Sequence, residues 1–125
     1  TYNYGTLPVT GSADKVFTVT NSGSLAASSV GGSGLAAPFS FKGGSYPGTG
    51  GTCGASINGG ANCSIVVTFA PTANGASSDS IDLDYFDGAQ NQTSSRAVQG
   101  TGAPPATLTI SDGATYNFGN VATNG

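Results

Sequence analysis

Cys63, Ile65, Val67 and Phe69 fall at every second position of Asn-Cys-Ser-Ile-Val-Val-Thr-Phe-Ala-Pro (62–71), and no other stretch constrains the fold as strongly. In an extended chain these four side chains point to one face, with Ser64, Val66 and Thr68 on the other. Pro71 has no backbone donor and stops the strand. The run reads as the central strand of a β-sandwich, with Cys63 anchoring its start.

Shorter stretches follow the same period. Tyr2-Asn3-Tyr4-Gly5-Thr6-Leu7-Pro8 begins extended and ends at proline, and residues 14–20 alternate with Phe17 and Val19 inward. Asn21-Ser22-Gly23-Ser24 is a turn, since Asn and Gly accept the left-handed conformation and Ser bonds back to the backbone. Residues 25–30 make a weak strand of small residues, and Pro38-Phe39-Ser40-Phe41-Lys42 a short one with both aromatics on one face. Residues 80–85 place Ile81, Leu83 and Tyr85 inward and Asp82 and Asp84 outward, ahead of a strong turn signal at Asp87-Gly88. Residues 93–100 supply a last strand, in which Ala97 and Gln99 alternate against Arg96 and Val98. No segment shows a 3.6-residue period, and the 21 glycines penalise a helix almost everywhere. Seven or so short strands separated by turns read as an all-β sandwich.

A chain of 125 residues is expected to fold as one domain with a real core. Its charge is sparse: 7% of residues, against about 25% in an average globular chain. Lys15, Lys42 and Arg96 cannot make the positive footprint that nucleic acid requires, and the same shortage argues against an anionic membrane surface. No apolar run approaches the ~20 residues of a membrane-spanning helix, so direct membrane insertion is not expected. With no charged and apolar leader and no initiator Met, the chain reads as a processed protein or a piece of a longer one.

Cys53 and Cys63 are the only cysteines. They could bridge, bind metal with other ligands, or stay free. With no His, and the nearest Asp well away in sequence, a zinc site is disfavoured and a structural disulfide is the favoured reading. It would close a short loop, worth roughly 3 kcal/mol in the chain-entropy model, and would imply an oxidising compartment outside the cytosol. Residues 43–60, the longest stretch without apolar periodicity, contain Cys53, and cross-linking is the simplest account of so long a loop.

The end of the chain returns to its beginning. Thr1-Tyr2-Asn3-Tyr4-Gly5 matches Thr115-Tyr116-Asn117-Phe118-Gly119 at an offset of 114 (115 − 1), and Leu7 and Gly11 then match Val121 and Gly125. Gly102-Ala103-Pro104-Pro105-Ala106 is a stiff linker by composition. The expected organisation is a sandwich over 1–102, then a linker and the opening strand of the next repeat over 103–125. Thr107, Leu108, Thr109 and Ile110 read as a strand with no counterpart ahead of Thr1. The first unit would therefore expose an open edge, and strand donation by 107–110 to a neighbouring copy would close it. An excerpt from a covalent string of repeats is the alternative.

Catalysis is poorly supported. Without His there is no Ser-His-Asp arrangement and no default base near neutral pH, and no motif selects a serine to work with Lys15 or Lys42. Asp79, Asp82, Asp84 and Asp87 match no calcium loop and read as a solvated strand face. An isopeptide bond from Lys15 to an Asn would need a buried acid beside the pair, whereas Lys15 adjoins Asp14 at a strand start. Asn62-Cys63-Ser64 and Asn91-Gln92-Thr93 match the glycosylation pattern but carry little weight in a chain of bacterial type. Tyr46 and Phe86 are the candidate surface aromatics for a sugar or protein contact. No metal site or cofactor is expected.

Taken together, Tyr4-Gly5, Phe17-Thr18-Val19-Thr20-Asn21-Ser22-Gly23, Pro38-Phe39, Cys63 to Pro71, Gly100-Thr101-Gly102 and Asn117-Phe118-Gly119 resemble the bacterial choice-of-anchor D repeats and related Hydin-like immunoglobulin domains. The likeness spans nearly the whole chain. It implies an immunoglobulin-like β-sandwich, often repeated in large secreted or surface-attached bacterial proteins, and implies no catalytic activity. The expected function is a structural spacer or head-to-tail fibre subunit, with neighbouring copies as partners. The alternative is an adhesive module that reads a carbohydrate or host surface through the 43–60 loop.

Overall fold

The computed structural model describes residues 1–111, 115 and 117–122. Tyr116 and Gly125 of the repeat, and 112–114 just ahead of it, lie outside the described residues. Seven strands form: β1 (Tyr2–Pro8), β2 (Ala13–Thr20), β3 (Ser28–Ser33), β4 (Phe39–Phe41), β5 (Asn62–Phe69), β6 (Gly75–Phe86) and β7 (Asn91–Ala103). They make two sheets, one ordered β1-β7-β6-β3 and the other β2-β5-β4. The pairs are antiparallel except β1 with β7, which run parallel. The chain is an all-β sandwich.

β5 is the centre of its sheet, and the alternation that marked it carries the core. Ile65, Val67 and Phe69 are 2% exposed or less and meet Phe39, Ile81, Leu83 and Val98 from the other elements. Burying each such side chain contributes about 1.5–3 kcal/mol. Val66 points the other way yet is also buried, because residues 42–51 fold over the outer side of β5 and Val66 N–H donates to the Pro47 carbonyl at 2.9 Å.

β3 lies at 28–33, three residues later than the expected weak strand at 25–30, and Leu25 is exposed. The strand runs through Gly31 and Gly32 because the Phe41 ring lies directly over Gly32, where a Cβ would stand 2.4 Å from Phe41 Cζ. β7 continues to Ala103, one residue past the expected limit of the sandwich, and turns Val98, Gly100 and Gly102 inward. Pro104 and Pro105 have no N–H to extend the ladder. Residues 107–110, expected as a strand, pair with no strand among the described residues. An extended segment becomes a strand only where a neighbour supplies hydrogen bonds, and none of the described residues does so here.

β1 is stitched between the sheets by aromatic rings. Tyr2 meets Phe17 at 5.6 Å, and Tyr4 lies 6.0 Å from Phe39 and 5.6 Å from Phe69. Between Asn3 and Thr6 the register with β7 slips, so that Leu7 rather than Thr6 faces inward. Gly5 makes the slip possible at φ 79°, where its N–H donates to Asn3 Oδ1 at 2.8 Å.

Candidate functional site

Cys53 and Cys63 are joined, with Cα atoms 4.9 Å apart. The 43–60 loop around that bond is packed down onto β5. Thr52 and Cys53 both donate their N–H groups to the Ser64 carbonyl at 3.0 Å, and Ser64 N–H donates to Thr52 Oγ1 at 2.9 Å. Ile57 is buried and exchanges backbone hydrogen bonds with Ala27 at 2.9 Å in both directions. Tyr46 is half-buried, edge-on to Phe41 at 5.8 Å, and its hydroxyl donates to the Gly54 carbonyl at 2.9 Å. Burial pushes its pKa up. The loop thus holds its own aromatic, and Tyr46 lies under it. Phe86, at the end of β6, is 36% exposed.

The aspartates are each engaged by donors. Asp79 accepts from Ala36 N–H and Ser80 N–H, and Asp82 from the hydroxyls of Ser80 and Ser95. Asp84 accepts from Thr93 and Ser33, whose hydroxyls hold its carboxyl below the usual carboxylate range. Asp87 caps the β6–β7 turn, where the N–H groups of Gln90 and Ala89 lower its pKa. Asp14 is held low first by the Thr68 hydroxyl at 2.6 Å and then by Lys42 at 2.9 Å. Lys15 stands 5.1 Å over the Tyr2 ring. Among the described residues no three His, Cys, Asp or Glu side chains gather as metal ligands.

What the sequence did not reveal is an opening between the sheets at one end. β1 begins pairing at Tyr2 with Val98, so residues 91–97 of β7 pair with β6 on one side and with no strand on the other among the described residues. β2 is likewise the edge of its own sheet. Between these two free edges lies a groove of about 510 Å³, with Val19, Leu25, Val30, Ile57, Leu83 and Tyr85 among its lining. Phe17 and Val19 face inward as expected but stay half-buried, since no element closes that side. Asn21 shapes one wall, its amide donating to the carbonyls of Leu25 at 2.8 Å and Ile57 at 2.9 Å. Leu25, an apolar residue inside a polar turn sequence and 67% exposed, was the one available signal.

At the other end the chain leaves β7 at Ala103. Leu108 and Ile110 are 95% and 90% exposed. Farther on, Gly119 adopts φ 72° and its N–H donates to Asn117 Oδ1 at 2.8 Å, the same local turn that Asn3 and Gly5 make in β1.

Two sheets with this order define an immunoglobulin-like β-sandwich. Within that class, the solved structures it is similar to include PapD-like domains. One is the ASH/PapD-like domain 7 of human CEP192, with a TM-score of 0.59 and 15% identity over 83% of this chain and 82% of that one. Another is the Vibrio cholerae VesB protease, with a TM-score of 0.64 and 20% identity over 79% of this chain. The chain spans 29% of VesB's length, and at these identities both likenesses concern the fold alone. No family model and no curated protein matches the chain.

Proposed function

We propose that this sandwich is a structural module of a bacterial secreted or cell-surface repeat protein, similar to the choice-of-anchor D repeats, and that its copies join head to tail by strand complementation. The observation that carries the reading is the recurrence of the β1 opening after one complete sandwich, in sequence and in local geometry: Asn117 and Gly119 repeat the turn of Asn3 and Gly5. An exposed apolar segment, Leu108 to Ile110, directly precedes that second opening. The Cys53–Cys63 bond supports an oxidising compartment, and no helix among the described residues is long and apolar enough to cross a membrane. Fold alone does not fix function, so the test is assembly itself. Light scattering and electron microscopy of the full chain are expected to show long uniform filaments, and the chain ended at Ala103 is expected to remain monomeric. Monomers in both samples would overturn strand complementation.

A further inference from the structure

We infer that the groove between β2 and β7 is the acceptor site for residues 107–110 of a second copy, with Leu108 and Ile110 filling the space beside Val19, Leu83 and Tyr85. This rests on the head-to-tail reading above and adds to it the surface where the copies meet.

The donor is suited to a half-buried strand. Leu108 and Ile110 are two residues apart and so share one face when extended, and both are almost wholly exposed in the single chain. Burying each would contribute about 1.5–3 kcal/mol. The acceptor offers the matching surface: apolar side chains between two free strand edges, with the unpaired side of 91–97 continuing the line of the β1–β7 ladder.

The repeat gives the register. Ile110 precedes Thr115 by five residues (115 − 110), and Thr115 corresponds to Thr1. Five extended residues reach at most about 17 Å. The Tyr2 ring already touches Phe17, and Val19, the next inward residue of β2, lies about 7 Å farther along the strand. A strand standing where 107–110 stands relative to its own repeat therefore arrives in the groove.

A chain cannot fill its own groove. Ser94 on the groove wall and Ala103 at the exit of β7 are nine residues apart (103 − 94), about 30 Å along the strand. From Ala103 to Leu108 is five residues, with a reach of about 17 Å, and Pro104 and Pro105 stiffen the path. Donor and acceptor thus sit at opposite poles. A contact of this kind is heterologous and does not close on itself, so it propagates. The donor's residues beyond 114 have no slot in the acceptor, whose β1 already occupies the β7 edge over 98–103.

The test uses full-length chains in mixed pairs under mild oxidation, with the native disulfide verified by mass. One chain carries Val19→Cys and the other Leu108→Cys. The control replaces Val19→Cys by Val16→Cys, on the outer face of β2 and 57% exposed. Seating the donor strand raises the local thiol concentration, so the groove pair is expected to cross-link about tenfold faster than the control, or more. Ile110→Asp in the donor chain is expected to remove that excess. Tyr85→Cys gives the same readout from the opposite wall if Val19→Cys folds poorly. Equal rates for groove and control pairs, or no cross-link, would overturn the site. Filaments without groove cross-linking would remove this site and leave head-to-tail assembly standing. Monomers without cross-linking would remove both.

Discussion

The hydroxyl of Tyr4 donates to the backbone carbonyl of Val67 at 2.7 Å, tying the strand that opens the chain to the middle of the central strand of the opposite sheet. Sixty-three residues separate the two, so this bond and the ring contacts around it are what hold β1 across the sandwich. Tyr4→Phe keeps the ring against Phe39 and Phe69 and removes only the donor. We expect a loss of about 1 kcal/mol, read as a lower urea midpoint with an unchanged slope. A midpoint unchanged in Tyr4→Phe would show that the bond adds nothing to stability.

Removing the disulfide tests the packed loop. The double replacement Cys53→Ala with Cys63→Ala is expected to cost roughly 3 kcal/mol by releasing the loop in the unfolded chain. The buried core is otherwise intact, so the variant should still fold. Amide exchange should quicken first at Thr52, Cys53 and Val66, whose N–H groups bond between loop and β5. Uniform quickening across the sandwich would mean instead that the bond acts on global stability alone.

The core was legible because β5, β4 and the end of β6 announce themselves by a period of two: Phe69, Phe41 and Ile81 sit where alternation put them. β3 was misplaced because Gly31 and Gly32 read as breakers, when the second is a glycine for the sake of the Phe41 ring. The parallel pairing of β1 with β7 leaves no local signal, since it joins the two ends of the sandwich. The groove was illegible for the same reason. It exists where a strand is missing between Val19 and Ser94, and absence in space has no counterpart in a residue pattern. The repeat, by contrast, was plain in the letters, and the Asn–Gly turn gave it a physical form.

Gly31 and Gly32, adjacent in β3, should respond to alanine with opposite signs. A Cβ on Gly31 meets nothing within 4 Å, whereas one on Gly32 stands 2.4 Å from Phe41 Cζ. Gly31→Ala reduces the freedom of the unfolded chain and is expected to stabilise by about 0.4–1 kcal/mol. Gly32→Ala overpacks a buried ring and is expected to cost about 1–3 kcal/mol. Thermal unfolding of the two variants side by side checks this. Equal shifts would mean that Phe41 yields freely, and the account of β3 would fail.

Stability should fall at both extremes of pH, for different residues. The carboxyl pKa values of Asp14, Asp84 and Asp87 are lowered in the fold by hydroxyl, backbone N–H and lysine donors. As pH drops below the ordinary Asp value of about 3.9, the unfolded chain therefore takes up protons first, and stability present above that pH is lost as it falls through the folded values. Asp87→Asn should shallow this acid limb, because the amide oxygen can still accept from Ala89 and Gln90 without titrating. At the alkaline end, burial first, then the charges of Tyr2 and Asp14, push the Tyr4 hydroxyl upward. The unfolded chain then releases its proton first as pH passes about 10, and stability is lost there. Urea midpoints measured across the range should show both limbs, and Tyr4→Phe should flatten only the alkaline one. An alkaline limb of unchanged slope in Tyr4→Phe would place its origin in other tyrosines or lysines.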